Sequence, residues 1–245
     1  MKNLRKALSI GSLALPLILA FQSVQAVSIV AVEDNFVLNS QKNTVQPNGG
    51  SDEVLVIKNA TNNIRKSWLK FDLTGLNVDY SQSGTISLAL SSNSSSSEEF
   101  DIALYALDDT GATAPTWTES TITWNNAPGN TTSGNNTQIN GLDSGETTLL
   151  GTTGTIATDT AAGTQYQFTI TDWSDYLQSD NTITVIAIST TNSPGPSIAF
   201  ASSENATEAW RPTLEFTAIP EPGSVALFVG MLALTLGALR RRRVQ

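Results

Sequence analysis

The chain has 245 residues, with 22 acidic and 13 basic side chains, a net charge of −9, and neither cysteine nor histidine. The surplus of acid argues against nucleic acid and anionic membrane surfaces as partners. Missing His and Cys take away the usual zinc ligands and the usual base or nucleophile of a catalytic triad, so only carboxylate chemistry remains open to an enzyme.

The first predicted element is an export signal. Lys2, Arg5 and Lys6 precede an apolar run from Ala7 to Phe21, and Val24-Gln25-Ala26 sets small side chains at the positions a signal peptidase reads. Residues 1–26 are therefore predicted to be a signal peptide, cut between Ala26 and Val27. A short N-terminal anchor is the other reading of this run.

Residues 27–217 are predicted to form one domain. Setting aside the three bases of the signal, Arg240 to Arg243 and Glu221 leaves this domain 21 acids and six bases, a charge of −15. Without cysteine, packing rather than disulfides must hold it together.

Period-2 alternation recurs through the domain. Leu69, Phe71 and Leu73 alternate with Trp68, Lys70 and Asp72. Ile86, Leu88 and Leu90 share one parity, as do Phe100, Ile102 and Leu104, and later Tyr166, Phe168 and Ile170. Ile183 to Ile188 is apolar on both parities, which predicts a central strand covered on both faces. Ile198 with Phe200 and Leu214 with Phe216 close the series. Ser94 to Ser97 is a polar run, and Thr131 to Gly163 is rich in Thr, Gly and Asn. Thr171 to Leu177 predicts one or two helical turns capped by Thr171. The pattern predicts about eight to ten strands in an all-β, jelly-roll-like antiparallel β-sandwich.

Several side chains stand out against this frame. The parity of Trp68 and Lys70 turns them away from the main core, which suits a sugar-stacking pair with the ring on a pyranose and the ammonium on a carboxylate. The other reading has the loop after Gly49 covering Trp68. Trp117 and Trp124, seven residues apart, face opposite sides of a continuous strand. Trp124 shares parity with Ile122 and is expected to plug the interior, while Trp117 packs at the rim or reaches a ligand. Arg65 and Arg211 are the only arginines of the domain. With Glu119 and Glu204 they would form a buried Arg–Glu pair, or a surface bridge of little worth. Asp34, with an Asp or Glu near the last strands, is a candidate for a structural calcium ion, although no loop has dense calcium-type Asp/Asn spacing. No other cofactor is predicted, and no metal ligand is assigned.

Trp68-Leu69-Lys70-Phe71-Asp72-Leu73 is followed by Trp117-Thr118-Glu119 and Trp124-Asn125-Asn126-Ala127-Pro128. Phe200-Ala201-Ser202-Ser203-Glu204 and Arg211-Pro212-Thr213-Leu214 come after them. In this order, from about Asp34 to Phe216, these motifs resemble the secreted DNRLRE domains of carbohydrate-binding module family 96. The resemblance implies a jelly-roll β-sandwich that binds acidic or neutral polysaccharide outside the cell. It makes Phe71, Asp72, Glu119, Trp124, Asn125, Pro128, Glu204 and Arg211 structural motif positions. One departure is Ser203, where the family usually has Arg, which removes a buried ion partner or opens the site. The founding relatives accompany polysaccharide lyases, whereas no catalytic module is expected within residues 27–217.

The last predicted element spans residues 218–245. Residues 223–239 carry no charge, and as a helix they would reach roughly 25 Å, enough to span a membrane if the flanks snorkel. Arg240, Arg241, Arg242 and Arg243 follow at once and hold the C-terminus in the cytoplasm. Pro220, Glu221 and Pro222 precede the helix. Together these three features resemble the PEP-CTERM sorting signal of bacteria that make extracellular polysaccharide. That resemblance implies cleavage by an exosortase, a membrane enzyme, near Pro-Glu-Pro. An ordinary tail anchor is the alternative.

The sequence thus predicts an exported, non-catalytic binding module, held to the membrane by its C-terminal helix before processing and then placed at the cell surface or in a biofilm matrix. Its predicted partners are extracellular polysaccharide, a signal peptidase and the exosortase, with no nucleic acid. The alternatives are a structural surface or matrix protein with no specific glycan, and a lyase or hydrolase working through carboxylates or Tyr.

Overall fold

The computed structural model of the chain describes residues 25–46, 52–93, 99–110, 115–135, 140–192 and 196–218. The strands are β1 (Gln25–Val30), β2 (Glu33–Leu38), β3 (Val54–Ile57), β4 (Arg65–Asp72), β5 (Gly84–Asn93), β6 (Phe100–Leu107), β7 (Thr147–Ile156), β8 (Gln165–Ile170), β9 (Thr182–Ser189), β10 (Ile198–Ala201) and β11 (Thr213–Ala218). They pair antiparallel into two sheets. One has the order β1-β11-β5-β10-β3, with β8 also paired to β5, and the other the order β2-β4-β9-β6-β7.

Most strands turn a row of apolar side chains inward, and the rows of the two sheets meet in one main core. Ile86, Leu88, Leu90, Phe168, Ile170, Leu214 and Phe216 come from the six-stranded sheet, and Leu69, Phe71, Ile102, Leu104, Ile183 and Val185 from the five-stranded one. The protein is therefore a β-sandwich, and the alternation read from the sequence fixes which side chains face inward. All eight residues of β9 are buried, as expected of a central strand covered on both faces.

Eleven strands are described, more than the sequence pattern predicts. The difference is largest at β7, which lies inside the polar run from Thr131 to Gly163. It is an edge strand on which only Thr147 and Ile156 are buried, so it carries no apolar row to read. The predicted turns at Thr171 to Leu177 shrink to a 3-10 turn, Trp173–Asp175. Asp172, not Thr171, precedes it, in the left-handed region at φ 52° and without a side-chain cap. Trp173 is buried there and its indole donates to Gln82 O at 2.8 Å.

Ala26 and Val27 lie in β1, opposite Thr217 and Phe216. Residues 1–24, Pro220, Glu221, Pro222, the apolar segment 223–239 and Arg240 to Arg243 lie outside the described residues. Among the described residues no helix is long and apolar enough to cross a membrane.

Candidate functional site

The two sheets differ in what lies on their outer faces. On the five-stranded sheet, β4 directs Lys66, Trp68 and Lys70 outward, on the parity opposite Leu69 and Phe71. Their exposure does not follow. Trp68 is 0 %, Lys70 8 % and Trp117 4 % exposed, so neither ring face nor ammonium is presented to a sugar. The cover is residues 115–130, a strap lying across the sheet; Gly49 and the two residues after it lie outside the described residues. Val37, Trp68, Ala103, Ile186 and Ile188 of the sheet pack with Trp117, Ile122, Trp124 and Ala127 of the strap in a second apolar layer.

The three outward residues of β4 each hold one part of the strap. Lys66 Nζ donates to Asn130 Oδ1 at 2.7 Å and to Gly141 O at 2.6 Å, 4.7 Å from the centre of the Trp124 ring. Trp68 Nε1 donates to Pro128 O at 3.0 Å. Lys70 Nζ donates to Trp117 O and lies 4.6 Å from that ring's centre. From β9, Thr184 Oγ1 accepts from Trp117 Nε1 at 3.1 Å. A lysine over an indole face gains from the ring quadrupole, the more so when water is excluded. Burial nevertheless drives the Lys66 ammonium down to about 7.

Trp117 and Trp124 both enter this layer, although a continuous strand would send them to opposite sides. The stretch between them is not a strand. Ile122 N donates to Thr118 O at 2.9 Å and Ala127 N to Thr123 O at 3.0 Å, two helix-like turns that bring both rings to one side. Trp124 is fully buried, as a plug would be, but these turns and not strand parity put it there, and it lies between strap and sheet rather than at the end of a barrel. Asn125 is exposed and ties the strap to the loop after β2, donating from Nδ2 to Asn43 Oδ1 at 2.7 Å. Phe71 is in the main core, and Asp72 is exposed, where its Oδ1 accepts from Thr74 N at 2.8 Å; the Thr74 hydroxyl first, and then this amide, hold its carboxyl below the usual range.

The predicted Arg–Glu pair is not formed. Among the described residues no ion pair joins Arg65 or Arg211 to Glu119 or Glu204. Arg65 lies over the Phe36 ring, 5.6 Å from its centre, and Arg211 Nε donates to Asn205 O at 2.9 Å. The carboxylates instead gather at the rim beside β2. Asp34 is 1 % exposed; its Oδ2 accepts from Ser203 N at 2.7 Å, and Glu204 Oε1 accepts from Ser203 Oγ at 2.7 Å. Asp34 Oδ1 and Glu204 Oε2 are buried without a partner. Burial, helped by the charges of Glu204 and Glu119 and opposed by the Ser203 amide, raises Asp34 to about 7. Burial and the charges of Glu204 and Glu33 raise Glu119 as well. Asp34 was a candidate for a structural calcium ion; among the described residues no group of three or more Asp or Glu is placed to hold a metal ion.

The outer face of the six-stranded sheet is open along β8 and β11, whereas the outward Ala89 of β5 and Ala199 and Ala201 of β10 are buried. Its outward row on β8 is Gln165, Gln167 and Thr169, all exposed, and beside it on β5 stand Thr85 and Ser87, with Thr213 and Glu215 beyond them on β11. At one end a 3-10 turn, Glu208–Trp210, lies against β5 and receives a hydrogen bond from Gln165 Nε2 to Ala209 O at 3.1 Å. Four of the five tryptophans are buried; Trp210 is the exception, part of its surface open to solvent. Its indole rests on Gly163, where a Cβ would come within 2.9 Å of Nε1, and Gly163 has φ +86°. Among the described residues its N–H donates to no protein group; the same holds for the buried Trp124 N–H, whereas those of Trp68, Trp117 and Trp173 each have an acceptor. Sequence reasoning passed over Trp210. The available signal was its position outside every alternating run, after Asn205-Ala206-Thr207-Glu208-Ala209.

No curated protein matches the chain. The family comparison covers β1 to β6 and the strap and stops before β7, short of Trp210: residues 25–144 match the model of carbohydrate-binding module family 96.

Proposed function

We propose that residues 27–217 form a non-catalytic carbohydrate-binding module of the jelly-roll kind, exported and sorted through the C-terminal signal, that contacts matrix polysaccharide at the cell surface. The observation that carries this reading is the match of residues 25–144 to a carbohydrate-binding family, on a chain that folds as a β-sandwich. The absence of His and Cys from the whole sequence agrees with binding rather than triad chemistry. Pro220, Glu221, Pro222 and the arginines from Arg240 to Arg243 support the sorting route.

A second reading, a structural matrix protein without a glycan ligand, draws on one observation. The aromatic and lysine side chains of the family motifs are buried in holding the strap. A glycan array probed with the full-length protein separates the two. Retention of any polysaccharide supports the module, and silence across neutral and acidic glycans leaves the matrix role.

A further inference from the structure

We propose that the ligand is an uncharged, hydroxyl-rich polysaccharide, held along the open face of the six-stranded sheet with one pyranose ring stacked on Trp210. The inference rests on the carbohydrate-binding reading and names its substrate class and its site.

Charge sets the class. A polymer of uronates or sulfated sugars is recognised by Lys and Arg placed where it can reach them. The domain has six bases against 21 acids. Lys58, Lys66 and Lys70 are buried, and Arg65 and Arg211 are half-buried, Arg65 over Phe36 and Arg211 bonded to Asn205 O. Only Lys42 is exposed. A polyanion would meet a surface that repels it, whereas a neutral glycan meets no such penalty. The cavity of about 210 Å³ beside the strap follows the same rule, since its charged lining groups are Asp108 and Glu146.

Chemistry sets the site. Sugars are bound by an aromatic face under the C–H side of the ring and by amides and hydroxyls around its edge. The open face supplies both. Gln167, Thr169 and Ser87 offer uncharged donors and acceptors at strand spacing, and Glu215 accepts from hydroxyls while repelling carboxylates. Trp210 lies at the end of this row with a free indole N–H, among the described residues, on a seat that Gly163 leaves open. Its turn is fixed by Trp210 N donating to Thr207 O at 2.9 Å and by the Gln165 bond to Ala209 O. A platform fixed before the ligand arrives loses little entropy on binding.

The test is affinity electrophoresis and pull-down of the full-length protein with neutral polymers (cellulose, mixed-linkage β-glucan, xylan, galactomannan) and anionic ones (alginate, polygalacturonate, a sulfated galactan). The expected result is retention by a neutral polymer and none by the anionic set. Trp210→Ala should weaken that retention about tenfold or more, and Gln167→Ala should weaken it less. Trp210→Phe, which keeps a ring, should keep most of the binding, and thermal melting of each variant reports whether it is folded. Retention by an anionic polymer, or neutral binding that survives in folded Trp210→Ala and Gln167→Ala, overturns this inference and leaves the binding-module reading standing. Retention by no polymer at all overturns both.

Discussion

The two outer faces carry the same kind of alternating row and come to opposite ends. On β4 the outward residues are Lys66, Trp68 and Lys70; on β8 they are Gln165, Gln167 and Thr169. The first row has long apolar stems and an indole. Burying such surface gains roughly 25 cal/mol per Å², so a covering segment that brings two more tryptophans is stabilised by lying on it. The second row is short and polar, offers a cover little apolar area, and stays open. An outward tryptophan beside a lysine is therefore a poor marker of a binding site when the same chain holds an aromatic segment able to close over it.

The largest effect expected from breaking this contrast comes at the covered face. Trp68→Ala removes the ring at the centre of the strap interface and leaves Pro128 O without its donor. It should cost about 3–5 kcal/mol in denaturant unfolding. If the loss stays under about 1 kcal/mol, the strap is not anchored by this ring. Folded Trp68→Ala protein should keep its glycan affinity, because the open face is untouched.

Next in size is the response of the covered face to pH. Lys66 is lowered from 10.5 to about 7 by burial. Between those values the unfolded chain holds a proton that the folded chain has released, so this group makes stability rise with pH from about 7 towards 10.5. Below about 7 the folded protein must carry the charge while buried. Lys66→Met keeps the stem without the charge. It should gain stability over the native chain near pH 6, by up to about 4 kcal/mol, and the gain should shrink steadily as the pH is raised. A difference between the two proteins that is flat from pH 6 to 10 would show that Lys66 keeps its proton throughout.

Asp34 gives the opposite slope at the rim. Burial raises it from 3.8 to about 7, beside Glu33, Glu119 and Glu204 and next to the Ser203 amide. Through that window the folded chain holds a proton the unfolded chain has lost, so stability falls as pH rises and is fully regained below the lower value. Asp34→Asn should therefore be more stable than the native protein at pH 8, by up to about 4 kcal/mol, and no more stable than it at pH 3.5. Equal melting at both values would mean that Asp34 ionises normally.

What the sequence made legible follows the same division. Inward rows such as Ile86-Leu88-Leu90 and Leu69-Phe71 declare themselves because a period of two is written into the strand itself. All of these side chains are in the core. The outward parity of Trp68 and Lys70 was legible too, and the interlock between Trp68-Leu69-Lys70 and the Trp117–Pro128 stretch gives a physical reason for the two motifs to occur together. Whether an outward row is covered was not legible. That depends on a contact between residues 60 apart, Trp68 and Pro128, which no local period encodes. The turns that bring Trp117 and Trp124 to one side were hidden by a Thr-rich alternation that imitates a strand. β7 was hidden because an edge strand buries too little to need an apolar row. Trp210 was hidden because its seat is made by Gly163, through the absence of a side chain.

The smallest stability effect sharpens the comparison most, because it moves the open face's tryptophan without touching the ring. Gly163→Ala asks an L-residue to hold φ +86° and sets a methyl within 2.9–3.1 Å of the Trp210 indole. The backbone conformation alone costs about 1 kcal/mol. The indole is partly exposed, so it can swing aside rather than unfold the domain. A fall of a few degrees in melting temperature is expected. It should come with a red shift and greater quencher access of the Trp210 fluorescence, and with a loss of glycan retention close to that of Trp210→Ala. The buried tryptophans of the strap should keep their emission, since Gly163 lies on the other sheet's side of the sandwich. If Gly163→Ala lowers stability as expected but leaves indole accessibility and glycan retention unchanged, then Gly163 serves its turn alone, and the open face holds its ligand without a fixed ring at Trp210.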